Sequence, residues 1–112
     1  MSRKLKIDTG GTKFGPYSPG ICVKDHIWLS GQVDVDAGDD IESQTTGTLS
    51  KIDDLLAAAN SSKSDLVKVT ILMTDIDDYG TINQIYGEWL GDTIPPARAA
   101  YCVSKLPLGA LF

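Results

Sequence analysis

The spacing of apolar positions changes several times along the chain, and each change marks a new element. Ile21-Cys22-Val23 and Ile27-Trp28-Leu29 are short β-prone runs separated by the polar Lys24-Asp25-His26, so a tight antiparallel hairpin is expected. The second run continues through Ser30-Gly31-Gln32-Val33, where a glycine inside a strand pattern suggests a bulge or the close approach of a ligand or another backbone. After Asp39-Asp40 the period lengthens. Asp39 and Glu42 have capping-box spacing, and Leu49, Ile52, Leu56 and Ala59 recur at helical intervals, which predicts an amphipathic helix ending near Asn60. Gly47 lies inside it and should weaken it by about 1 kcal/mol relative to alanine.

Val67, Val69, Ile71 and Met73 then alternate with Lys68, Thr70 and Leu72, a period of two that predicts a strand with one apolar face. Asp77 or Asp78 can cap a second helix, on which Tyr79, Ile82, Tyr86 and Trp89 form a stripe that reads as core, with Gly91 as its stop. Pro95-Pro96 excludes helix, and an extended pattern resumes from Arg98 to Ser104. The order is β-β-α-β-α-β with an irregular start. Helices would cover one face of the sheet and leave Val67, Val69, Ile71 and Met73 on the other, so self-association is expected.

Length and charge narrow the possible roles. A chain of 112 residues without linker or repeat is read as a single domain over 1–112, small enough to gain from oligomerisation. It contains no apolar run of about 18 residues, and Met-Ser-Arg-Lys-Leu-Lys-Ile lacks the continuous apolar stretch of a signal peptide, so a cytoplasmic protein with no membrane partner is expected. The net charge of −5 repels a phosphate backbone, which makes nucleic acid a poor partner. Cys22 and Cys102 have neither metal-ligand spacing nor a neighbouring thiol and read as free, buried cysteines. Asp34, Asp36, Asp39 and Asp40 precede the first helix, and Asp75, Asp77 and Asp78 precede the second. Neither cluster has the regular loop of a calcium site, so charge at helix N-termini explains both and no metal is expected. His26 is the one histidine and belongs to the hairpin turn, so neither a catalytic triad nor a multi-histidine metal site is expected.

Five segments in order carry a further signal: Gly15-Pro16-Tyr17-Ser18-Pro19-Gly20, Leu29-Ser30-Gly31-Gln32, Gln44-Thr45, Thr81-Ile82-Asn83 and Pro96-Ala97-Arg98. Together they resemble the Rid family, also called the YjgF family, over nearly the whole chain. The resemblance implies an α+β, chorismate-mutase-like fold, a homotrimer with helices outside, and ligand sites in the clefts between subunits. It also implies cofactor-free hydrolysis of reactive enamines or imines such as 2-aminoacrylate, giving a 2-keto acid and ammonia.

The resemblance assigns residues to that chemistry. Arg98 matches the arginine that holds the substrate carboxylate, for which a guanidinium's two-pronged donor is suited; taken alone, an arginine after two prolines reads first as a surface or ion-paired residue. Tyr17 can wall the cleft, or simply pack its own loop. Ser30 and Gly31 match cleft-lining positions and Asn83 a helix residue near the site, although a strand end and a solvent-facing asparagine would look the same. The position two residues after Arg98, often cysteine in the family, is Ala100, which leaves only a backbone role there. Family members continue into a last strand with a glutamate that orients water, and by register Phe112 lies just before it, so a missing C-terminal segment is expected, with a true short variant as the alternative. A non-catalytic trimeric module that binds 2-keto acids is the alternative, and endoribonuclease activity, attached to some relatives, is disfavoured by the acidic balance.

Overall fold

The computed structural model describes residues 3–112. Strands β1 (Leu5–Ile7), β2 (Gly20–Val23) and β3 (His26–Leu29) form an antiparallel sheet in that order. Helix α1 (Ile41–Ala58), strand β4 (Lys68–Met73), helix α2 (Tyr79–Leu90) and strand β5 (Ala97–Cys102) follow, with β4 and β5 paired in parallel as a second sheet. The fold is therefore α+β, with one strand and one sheet more than the apolar spacing predicts. Leu5-Lys6-Ile7 is too short to show a period; it pairs Ile7 with Gly20, where a side chain would crowd the sheet, a Cβ lying 3.1 Å from the Ile7 Cβ and 2.9 Å from Leu29 Cδ2.

The expected hairpin is present, with Val23 opposite His26 and Gly20 opposite Leu29. Its turn is the pair Lys24-Asp25, with Lys24 at φ 51°, and β3 ends at Leu29 rather than running on through Gly31. Gly31 is exposed, and a Cβ on it would meet nothing within 4 Å, so no bulge or close packing inside this chain calls for glycine.

Helix α1 begins where expected but is capped by Asp40, whose carboxylate accepts from the Ser43 amide at 2.7 Å, not by Asp39. Its buried face mixes Ile41, Leu49, Leu55 and Leu56 with Gln44, Thr45 and Thr48, and Ile52 and Ala59 are only half-buried. Of these polar residues only Gln44 is partnered, the hydroxyls of Thr45 and Thr48 having no partner among the described residues. Gln44 donates to the Gly38 carbonyl at 2.9 Å and accepts from the Leu111 amide at 2.9 Å.

The main core lies between the two helices and β4: Ile41 and Leu49 from α1, Ile82, Tyr86 and Leu90 from α2, Ile71 and Met73 from β4, and Phe112. This corrects the expected burial of β4. Ile71 and Met73, 3% and 0% exposed, face the helices, while Val67 precedes the strand and is 81% exposed. The helices cover the most apolar face of the strand because that burial is worth about 1.5 to 3 kcal/mol per large side chain. The opposite face carries Lys68, Thr70 and Leu72, so Ile71 and Met73 are already covered within the chain and give no argument for self-association. The cysteines also differ from expectation: Cys22 is half-buried, and Cys102, last residue of a strand paired on one edge only, is exposed. Among the described residues no helix is long and apolar enough to cross a membrane.

Candidate functional site

Arg98 is the second residue of β5, level with Val69 of β4, and its side chain lies on the helix side of the sheet. Its Nη1 donates to Asn83 Oδ1 at 2.8 Å and its Nη2 to the Tyr79 hydroxyl at 3.0 Å. The guanidinium carbon sits 5.7 Å from the Tyr79 ring centre and 5.3 Å from that of Tyr86. Tyr79, Asn83 and Tyr86 are spaced at four and then three residues on α2, so one stripe of the helix supplies two aromatic faces and two neutral acceptors. No carboxylate pairs with Arg98 among the described residues. A half-buried cation held by neutral groups keeps its full charge for an incoming anion, and two of its five N–H groups are engaged here, leaving three.

Ile82 and Tyr86 lie in the core as their stripe predicts, with Trp89 packed against it, whereas Tyr79 departs from that expectation. Tyr86 is 5% exposed and its hydroxyl has no hydrogen-bond partner among the described residues; burial pushes its phenol pKa upward, against the pull of the Arg98 charge. Tyr79 is 39% exposed and belongs to the arginine bracket. Helical spacing groups these side chains correctly but cannot reveal what they face. The signal that was available is the asparagine inserted between two tyrosines on one stripe.

The remaining candidates lie elsewhere. Tyr17 and Ser30 line an open cavity of about 550 Å³ with Lys4, Pro16, Ser18 and Ile21. Ser30 ties the Gly/Pro-rich loop to the end of β3: its amide donates to the Pro19 carbonyl at 2.8 Å and its hydroxyl to the Ser18 carbonyl at 2.7 Å. Its own carbonyl accepts from Gln32 Nε2 at 3.3 Å. Both backbone groups of Ser30 are therefore engaged, and the neighbouring Gly31 keeps an amide and a carbonyl with no partner among the described residues. Tyr17, held by a bond from its amide to the Gly15 carbonyl, is 43% exposed and also borders a second cavity of about 450 Å³. Ala100 is half-buried against the main core, two residues along the strand from Arg98.

Arg98 and Asn83 are thus brought together, as are Tyr17 and Ser30, but among the described residues no hydrogen bond joins the two groups, and neither of the cavities beside Tyr17 is lined by Arg98 or Asn83. The acidic clusters serve local structure: Asp40 caps α1, Asp34 pairs with Lys51 at 3.5 Å, and Asp75 accepts from the Asp77 amide at 2.9 Å. No group of three or more potential ligands that could hold a metal ion occurs among the described residues.

Comparison with known proteins places this geometry in a family. Residues 11–112 match the family model described as Endoribonuclease L-PSP. A RutC family protein of Pyrococcus abyssi is 38% identical over 103 residues, covering 87% of this chain and 80% of the relative. The human 2-iminobutanoate/2-iminopropanoate deaminase is 34% identical over 102 residues, covering 86% of this chain and 74% of the relative. Among solved structures, YyfA of Yersinia pestis, a protein of unknown function in the conserved Rid family, is 40% identical with a TM-score of 0.89 over 96% of this chain and 92% of its own. Escherichia coli TdcF with bound serine is 28% identical with a TM-score of 0.88, over 96% and 91% respectively. With its ordered segments, its α+β architecture and these relatives in agreement, the chain belongs to the Rid (YjgF) family.

Proposed function

We propose that the protein hydrolyses short 2-imino acids, and their enamine tautomers, to 2-keto acids and ammonia, with Arg98 holding the substrate carboxylate. The observation that carries this reading is the state of Arg98: oriented by Asn83 and Tyr79, faced by two rings, and without an anionic partner among the described residues. Relatives named 2-iminobutanoate/2-iminopropanoate deaminase at 34–35% identity support the reaction class.

The chemistry asks little of side chains. The carboxylate binds through two N–H groups of the guanidinium, and the imine carbon is thereby held at a fixed distance from the strand. Water adds to that carbon, the C–N bond breaks, and nitrogen leaves as ammonia with the protons of the imine and the water. Such imines also hydrolyse unaided, so orientation supplies most of the acceleration. Tyr17 and the free backbone of Gly31 would wall the other side of the site, and Asn83 would act through Arg98. Because one chain keeps these groups apart, the reading includes a homotrimer whose clefts bring Tyr17, Ser30 and Gly31 of one copy to Arg98, Asn83 and Ala100 of the next.

A second reading, a binding module for 2-keto acids, is favoured by one observation. No carboxylate or imidazole bonds to Arg98, Asn83 or Tyr79 among the described residues, so no general base stands beside the anchor. A threonine dehydratase coupled to the protein separates the two. Faster release of 2-ketobutyrate than the dehydratase gives alone supports the deaminase, whereas 2-ketobutyrate binding without acceleration supports the module. Arg98→Ala should abolish both, because loss of a charge-assisted bidentate contact costs on the order of 2 to 5 kcal/mol while removing no core side chain.

A further inference from the structure

Tyr79 is a hydrogen-bond acceptor for Arg98, and that leaves its own proton unspent. The hydroxyl oxygen receives Nη2 at 3.0 Å, its O–H has no acceptor among the described residues, and the side chain is 39% exposed at the first residue of α2. An anion that docks on the free N–H groups of Arg98 must bring an oxygen close to Nη2, and therefore within reach of a hydroxyl held 3 Å from the same nitrogen.

We propose that Tyr79 is a second contact for the ligand carboxylate, its O–H donating to the oxygen that Nη2 also binds. Arg98 and Tyr79 form a three-donor clamp for the carboxylate of a 2-keto or 2-imino acid. This inference rests on the reading of Arg98 as carboxylate anchor and goes further by adding the group that completes it. Asn83, by contrast, is a positioning residue, since its amide oxygen accepts from Nη1 on the other arm of the guanidinium. The division of labour follows from donors and acceptors. An amide oxygen has no proton to offer an anion, whereas a phenol accepts from the arginine and donates to the ligand at once. The Tyr79 ring, 5.7 Å from the guanidinium carbon, holds the cation over its face and keeps the hydroxyl in place.

Tyr79→Phe keeps the ring and removes both hydroxyl bonds. Calorimetric titration of the full chain with 2-ketobutyrate should show affinity about ten-fold weaker in Tyr79→Phe and no binding in Arg98→Ala, with the melting temperature of Tyr79→Phe unchanged. Equal affinity in Tyr79→Phe and wild type, with Arg98→Ala inactive, would overturn the clamp while leaving the Arg98 reading intact. Weakened binding that tracks a lowered melting temperature would make the role structural and overturn it too. No binding by the wild type, or undiminished binding by Arg98→Ala, removes the anchor and the clamp with it.

Discussion

Arg98 shows how a residue's setting, and not its type, decides its use. The chain places an arginine directly after Pro95-Pro96-Ala97, and nothing in that stretch tells a surface cation from an anchor; its match to a family motif supplied the distinction. What the sequence left hidden was the bracket of Tyr79 and Tyr86, because a contact between a strand residue and a helix 12 to 19 positions earlier has no local periodicity. Asp78 offers a second test at this scale. It stands at the N-cap of α2 without a side-chain capping bond, and burial together with the charges of Asp75, Glu42 and Asp77 raises its pKa. A raised carboxylate pKa means that ionisation disfavours the fold: the penalty is fully present above the folded pKa and disappears below the unfolded one. Asp78→Asn should therefore melt slightly higher than wild type at pH 7, by the equivalent of about 0.5 kcal/mol or less given solvent screening, and the difference should vanish near pH 3. Thermal melts across that range decide it. A higher-melting wild type at pH 7 would show that the carboxylate's attraction to the helix terminus dominates instead.

Among the elements, the helices and the hairpin were legible in the spacing of apolar residues, but their contacts were not. Gly47 makes the point. Helix propensity alone says that Gly47→Ala should stabilise α1 by about 1 kcal/mol. Yet a Cβ at this position would collide with the Asp34 carboxylate and lie 2.7 Å from the Ala37 Cβ, since the turn at Val35–Ala37 crosses the helix there. Overpacking of this kind costs about 1 to 3 kcal/mol, so the net effect should be destabilising, as chemical denaturation would show. The strand β4 was correctly given one apolar face, but which layer covered it could not be read from alternation. A period of two says that two faces differ and is silent on what each one meets. The short β1 was missed for a related reason: three residues, one of them buried, make no pattern.

The whole molecule is acidic, and its separated candidate groups make assembly the central question at this scale. Light scattering should give a mass of three chains if the site is built between copies; a monomer that still binds 2-ketobutyrate would confine the site to the Arg98 bracket. Single-stranded RNA should not bind at physiological salt, because a net charge of −5 opposes the backbone, and a filter-binding assay would expose an error. Finally, the Gln44 side chain joins α1 to residue 111, a contact spanning 67 positions. Closing so large a loop carries an entropic penalty that is recovered only after both partners are already in place. Gln44 can therefore act as a late latch in folding, locking Ala110 and Phe112 into a core whose other walls have formed. In native-state hydrogen exchange the Leu111 amide should open well below the global unfolding free energy, and before the amides of β4, making the segment that follows β5 the first part of this core to come loose.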